Sequence, residues 1–146
     1  MRLLFVCHAN VARSQIAAAL CTSYAPQVVA ASAGVQVDEP GETLEHLLER
    51  GSQHNPYVIR TMNRLGLDIS KSRRTQLRRA MLKSYDYVIS MVERRLAPEY
   101  LVAAPNTLHW DIPDPARYGP APTMRTEEAI EIALLEFLYA AECLAA

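Results

Sequence analysis

The chain has 146 residues, of which 50% are hydrophobic and 21% charged, with a formal net charge of −1. That length and balance predict one soluble domain over residues 1–146, large enough to bury a proper core. The near-zero charge gives no global field to gather nucleic acid, and no apolar run reaches the ~18–20 residues that span a bilayer.

The first element is a buried strand over residues 2–6, carried by Leu3-Leu4-Phe5-Val6. It runs into Cys7-His8-Ala9-Asn10-Val11-Ala12-Arg13-Ser14 and then a helix over 14–24. Val28-Val29-Ala30-Ala31-Ser32 reads as a second strand, stopped at Gly34. Residues 36–54 read as a loop with one or two helical turns. Asn55-Pro56 predicts a helix start with Pro56 in its first turn, continued by Val58, Ile59, Met62 and Leu65 and ended by Gly66. Ser70 to Ser84 reads as a further helix, basic on one face. Tyr85 to Met91 and Thr107 to Trp110 are the third and fourth strands, Asp111 to Pro122 is a proline-rich loop, and Glu127 to Leu144 is a closing amphipathic helix. Strands alternating with helices imply an α/β fold with an open parallel sheet covered on both faces.

The segment Cys7 to Ser14 carries the chemistry. A thiol at the carboxyl end of a strand, a short loop and a helix start together make an anion cradle, because loop N–H groups and the helix dipole converge on one point. Arg13 can hold two oxygens of a tetrahedral oxyanion with its planar fork. The same positive field favours the thiolate of Cys7. Asn10 is one of the few non-glycine residues that tolerates the positive φ a tight cradle needs. Ser14 can donate to the thiolate or cap the helix. A nucleophile facing a trapped oxyanion points to phosphoryl transfer through cysteine, or to reduction of a phosphate-like oxyanion.

Such chemistry needs a proton donor for the leaving oxygen. Asp111 and Asp114 both follow the last strand, whose carboxyl end lies on the same side of a parallel sheet as Cys7. Asp114, stiffened between Pro113 and Pro115, is the first candidate; Asp111 is the second. The histidines have no metal-ligand spacing, so no metal site is expected. Three cysteines at irregular spacing fit a reduced, cytoplasmic chain better than a disulfide framework. One arginine followed directly by a strand pattern is not a signal peptide. Arginine outnumbers lysine 13 to 2, a compositional bias, and the run Arg73, Arg74, Arg78, Arg79 reads as a solvated helix face.

These motifs resemble the low-molecular-weight protein tyrosine phosphatase superfamily, which includes the thioredoxin-coupled arsenate reductases. The likeness covers nearly the whole chain: Cys7 to Ser14, Ser32-Ala33-Gly34 and Asp114-Pro115 match its phosphate loop, second strand end and acid-bearing pair. The resemblance implies Cys7 as nucleophile, Arg13 as oxyanion clamp, Ser14 as thiolate stabiliser and Asp114 as general acid. The loop His8, Ala9, Asn10, Val11, Ala12, Arg13 and Ser14 would bind substrate. It further implies a four-stranded parallel sheet, order 2-1-3-4, flanked by helices, with no cofactor. Expected partners are a phosphorylated protein or small phosphoester and oxyanions such as phosphate, sulfate or arsenate. Neither nucleic acid nor membrane is expected, and the chain would be a monomer or weak dimer.

Within the superfamily the signals divide. Gln15 and Ala116 stand where tyrosine phosphatases usually carry proline and an aromatic residue, and Tyr118 is a displaced candidate for the pocket wall. Asn55-Pro56, Asp68-Ile69-Ser70 and His109-Trp110 look like the reductase branch. Yet Met91 to Leu96 has no thiol, while Cys21 and Cys143 read as ordinary residues of the first and last helices. Ala12 leaves no second loop cysteine. Three readings stay open: a phosphomonoesterase of phosphotyrosine type, an arsenate reductase using a small thiol, and a weakly active oxyanion-binding regulator.

Overall fold

The structure, a computed structural model, describes residues 1–52, 54–115 and 119–143. Four strands, β1 (Arg2–Cys7), β2 (Val29–Gly34), β3 (Tyr87–Ser90) and β4 (Thr107–His109), form one sheet in the order β2-β1-β3-β4. All three pairings are parallel, with Cys7 beside Gly34, Val6 beside Ser90, and Ser90 beside His109. The carboxyl ends of β1, β3 and β4 therefore share one edge, and the site lies there.

The central strand shows why both faces are covered. Leu3, Leu4, Phe5 and Val6 are all fully buried. Side chains alternate across a strand, so Leu3 and Phe5 join one core while Leu4 and Val6 join the other. The first core packs α1 (Arg13–Tyr24), α2 (Leu44–Glu49), α3 (Val58–Asn63) and α5 (Pro120–Ala140) on the sheet. The second receives Leu82 from a 3₁₀ turn over Arg79–Ser84, and Leu101 from α4 (Glu99–Ala103). Each such burial contributes roughly 1.5–3 kcal/mol of transfer free energy.

The expected helix from Ser70 to Ser84 is absent apart from its last turn. Residues 72–77 form no helix: Gly34 and Gln76 form a parallel bridge, and Thr43 and Arg73 an antiparallel one. Leu77 N–H donates to the Gly34 carbonyl at 2.7 Å, and Arg74 N–H to that of Glu42 at 2.8 Å. Pairing with distant chain overrides the local helix preference of the arginines.

Other boundaries move for local reasons. α5 begins at Pro120, seven residues before Glu127, because prolines fit a first helical turn whose N–H groups have no partner anyway. It ends at Ala140, so Cys143 lies beyond it. α3 begins at Val58, since Asn55 accepts from the Tyr57 N–H at 2.8 Å and makes a turn ahead of the helix. α4, five residues long, has no counterpart among the sequence expectations.

Candidate active site

β1 delivers Cys7 to the sheet edge, and α1 starts six residues later. Ala12 is the N-cap of α1, and no side chain caps it. A poor capping residue leaves the first N–H groups of the helix for a ligand. Asn10 takes φ +56, the left-handed turn that bends the chain into a cradle.

The cradle has a back as well as a mouth. Val35 N–H donates to the Cys7 carbonyl at 3.1 Å, and Gln36 N–H to the His8 carbonyl at 2.9 Å. Asn10 Oδ1 accepts from the Thr75 N–H at 2.7 Å. Gln15 Nε2 reaches both the Asn10 and Arg73 carbonyls. Gly34 is required here: a Cβ on it would lie 2.7 Å from Asn10 N and 2.8 Å from the Ala9 carbonyl carbon.

Cys7 is buried, with its Sγ 3.0 Å from Ser14 Oγ. Asn10 Nδ2 donates to that same oxygen at 2.7 Å, so the Ser14 hydroxyl proton is free to point at the sulfur. Ser14 lies inside α1 and acts toward Cys7, not as a helix cap. Arg13 is 2% exposed. Its Nη1 donates to the Met91 carbonyl, to Glu93 Oε1 at 3.0 Å and to the Ile112 carbonyl at 3.1 Å. Its Nη2 lies 3.9 Å from Asp114 Oδ2.

A cavity of about 550 Å³ opens over Cys7. His8, Ala9, Val11, Ala12, Arg13 and Asp114 line it, and the 36–55 stretch adds Asp38, Arg50, Ser52, His54 and Asn55. That stretch thus rims the pocket. Asp114 faces the cavity with Cys7; Asp111 instead lines a separate hollow with Glu93, Arg94 and His109. The loop members Asn10 and Ser14 stand behind the lining, fully buried. Ala116 and Tyr118 lie outside the described residues.

Several residues of the site gave no signal in the sequence. Arg74, expected on a solvated face, has a fully buried side chain. It donates to the Ala9 carbonyl from Nη2 at 2.9 Å and from Nε at 3.2 Å. Its Nη1 donates to Asp38 at 2.6 Å and Glu42 at 3.0 Å. Arg50 binds the same two carboxylates. Arg50, against the cost of burial and helped by His46 and Arg74, holds the Glu42 carboxyl at about 2. Burial raises Asp38, but Arg74 and Arg50 outweigh it and hold the carboxyl below its ordinary range. Burial, then the field of Arg74, lowers His54 and favours its neutral imidazole. Glu93 feels burial upward, yet its own backbone N–H and Arg13 keep it below the ordinary value.

The remaining thiols lie elsewhere. Cys21 is buried in α1, its pKa pushed up to about 11 by burial and the nearby Cys143. Among the described residues no group of three or more His, Cys, Asp or Glu side chains could hold a metal, and no helix is long and apolar enough to cross a membrane.

Solved structures share this architecture. A low molecular weight protein tyrosine phosphatase from T. tengcongensis is 24% identical, covers 96% of this chain and 99% of its own, and has a TM-score of 0.78. Wzb of Vibrio vulnificus in complex with benzylphosphonate is 20% identical over 95% of this chain and 97% of its own, with a TM-score of 0.75. An arsenate reductase in the phosphate binding state is 19% identical over 95% and 97%, with a TM-score of 0.73. No curated protein matches the chain in sequence. Residues 2–143 match the family model for low molecular weight phosphotyrosine protein phosphatase, and the chain belongs to that family.

Proposed function

We propose that this phosphatase hydrolyses phosphomonoesters of the phosphotyrosine type through a phosphocysteine intermediate. The Cys7 thiolate attacks phosphorus in line, forming the S–P bond as the P–O bond to the leaving group breaks. Asp114 gives its proton to the departing oxygen. Water then attacks phosphorus, Asp114 takes a proton from it, and the S–P bond breaks to release phosphate and thiolate. Loop N–H groups and Arg13 carry the charge on the equatorial oxygens.

One observation carries the reading: Cys7, Arg13 and Asp114 converge on a single cavity whose floor is an uncapped helix start. The phosphonate and phosphate named for two similar structures support an oxyanion there. We further propose a monomer or weak dimer in the reducing cytoplasm, taking a phosphorylated protein or small phosphoester.

The test is steady-state hydrolysis of phenyl phosphate and a phosphotyrosine peptide, with acid quenching to trap phosphate on Cys7. Turnover with no trapped phosphocysteine removes the covalent route. Arsenate has the shape of phosphate, and one similar structure is an arsenate reductase, so arsenate with a small thiol is the second arm. Arsenite production without ester hydrolysis would favour that reading. Phosphate binding with neither activity would favour an oxyanion-binding regulator.

A further inference from the structure

The loop's carbonyls decide where its amides point. A trans peptide holds C=O and N–H on opposite sides, so a carbonyl fixed outward turns the next N–H inward. The Cys7 and His8 carbonyls are fixed by the backbone N–H groups of Val35 and Gln36. The Ala9 carbonyl is instead fixed by a side chain, the forked guanidinium of Arg74, at 2.9 and 3.2 Å. The peptide that follows leads into Asn10, the loop residue with positive φ. Gly34 lies close against that same peptide, where a Cβ would meet its N and C atoms.

Arg74 has little freedom. Its side chain is 0% exposed, and its third nitrogen is held by Asp38 and Glu42. Glu42 is itself nearly buried, and Arg50 grips both carboxylates from the pocket wall. A guanidinium supplies rigid, planar donors to a carbonyl and two carboxylates at once; an ammonium cannot reproduce that fork.

We propose that Arg74 is a positioning residue of the oxyanion cradle: braced by Asp38 and Glu42, it sets the Ala9–Asn10 peptide so that the Asn10 N–H turns to the inside of the loop, behind the Ala9 and Val11 lining. The inference rests on the phosphatase reading for its catalytic consequence, and on the cradle alone for its effect on binding. Arg74 would not touch substrate. It would act through the loop, where a misplacement of about 1 Å can cost ~10²-fold in rate.

The test uses the full chain with inorganic phosphate by calorimetry and p-nitrophenyl phosphate by kinetics. Arg74→Lys keeps the positive charge beside Asp38 and Glu42 but loses the fork. It should weaken phosphate binding about 10-fold and lower kcat/KM roughly 10–100-fold, with most of the folded population retained. Wild-type affinity and turnover in Arg74→Lys would overturn the proposal and leave Arg74 a charge partner only. The double variant Arg74→Met/Glu42→Gln removes the buried pair together, which limits destabilisation, and should show the same loss. Should either variant unfold, the wild-type protein still decides. Its Asn10 amide proton, followed by NMR, should shift strongly on adding phosphate, and an unmoved Asn10 amide would overturn the proposal. If p-nitrophenyl phosphate is not hydrolysed by the wild type, the phosphatase reading fails, while the calorimetric and NMR arms still judge Arg74.

Discussion

The floor of the cavity and its wall are built on different plans. The floor is contiguous chain: Cys7, Asn10, Arg13 and Ser14 sit within eight residues, between the end of β1 and the start of α1. The wall is assembled from Asp38, Arg50, His54 and Asn55, with Asp114 arriving from beyond β4. The two buried arginines show what this means. Arg13 turns toward the cavity and toward Glu93 and Asp114. Arg74 lies behind the loop and grips its backbone. One guanidinium lines the cavity; the other holds the Ala9 carbonyl from behind it. The proposed chemistry can therefore be removed one side chain at a time, at Cys7 and Arg13 on the floor and at Asp114 on the wall.

The largest effect should come from Cys7→Ser. Turnover should fall on the order of 10⁴-fold or more, while inorganic phosphate still binds within a few-fold of wild type, since the cradle persists. Substantial hydrolysis by Cys7→Ser would remove the thiol from the mechanism.

Asp114 comes next, as the wall residue proposed to supply the proton. Asp114→Asn should slow phenyl phosphate hydrolysis about 10²–10⁴-fold. An ester with a very acidic leaving group, which needs little protonation, should be slowed much less. Asp111→Asn should show no such contrast, since Asp111 does not line the cavity over Cys7. The opposite pattern would assign the acid to Asp111.

Arg13→Lys returns the comparison to the floor. An ammonium keeps charge but loses the fork, so kcat/KM should drop about 10²–10³-fold. A rate near wild type would mean that Arg13 serves the Met91 and Ile112 carbonyls and not the substrate.

The same contrast explains what the sequence disclosed. The floor was legible because its residues are neighbours, and a strand, loop and helix start can be read in one pass. The sheet was legible because β1 and β3 are short apolar runs, and because intervening helices make such strands parallel. Asp38 and Arg74 were not, because their partners are remote. Arg74 reaches Ala9, Asp38 and Glu42 across 65, 36 and 32 residues. Nothing in the run Arg73, Arg74, Arg78, Arg79 distinguishes the one side chain that the fold buries. The same distance effect unmade the Ser70 helix, whose backbone donors go to Gly34 and Glu42. Prolines hid the early start of α5, and α4 is too short to carry a periodic signal.

The smallest effect should come from support behind the floor, where α1 packs on α5. Glu127, on α5, is 6% exposed, and its Oε1 has no hydrogen-bond partner. Burial, then the neighbouring Glu131, raises its pKa to about 7. Glu131 in turn accepts from the Tyr24 hydroxyl of α1. A carboxyl raised in the folded state stabilises in its protonated form. That contribution is complete below about 4.5, the ordinary glutamate value, and is lost as pH rises through about 7. Glu127→Gln cannot titrate, so at pH 8 it should be more stable than wild type by about 1–2 kcal/mol, or roughly 3–6 °C in Tm. At pH 4, below the ordinary glutamate value, the two should melt within about a degree of each other, since wild-type Glu127 is then largely protonated in both the folded and the unfolded state. The kcat/KM profile of Glu127→Gln should overlay that of wild type, because this carboxyl lies outside the cavity. An equal Tm difference at both pH values would show that Glu127 does not titrate in this range. A shifted activity profile would show that the α1–α5 interface reaches the cradle, and the separation between floor and support would have to be redrawn.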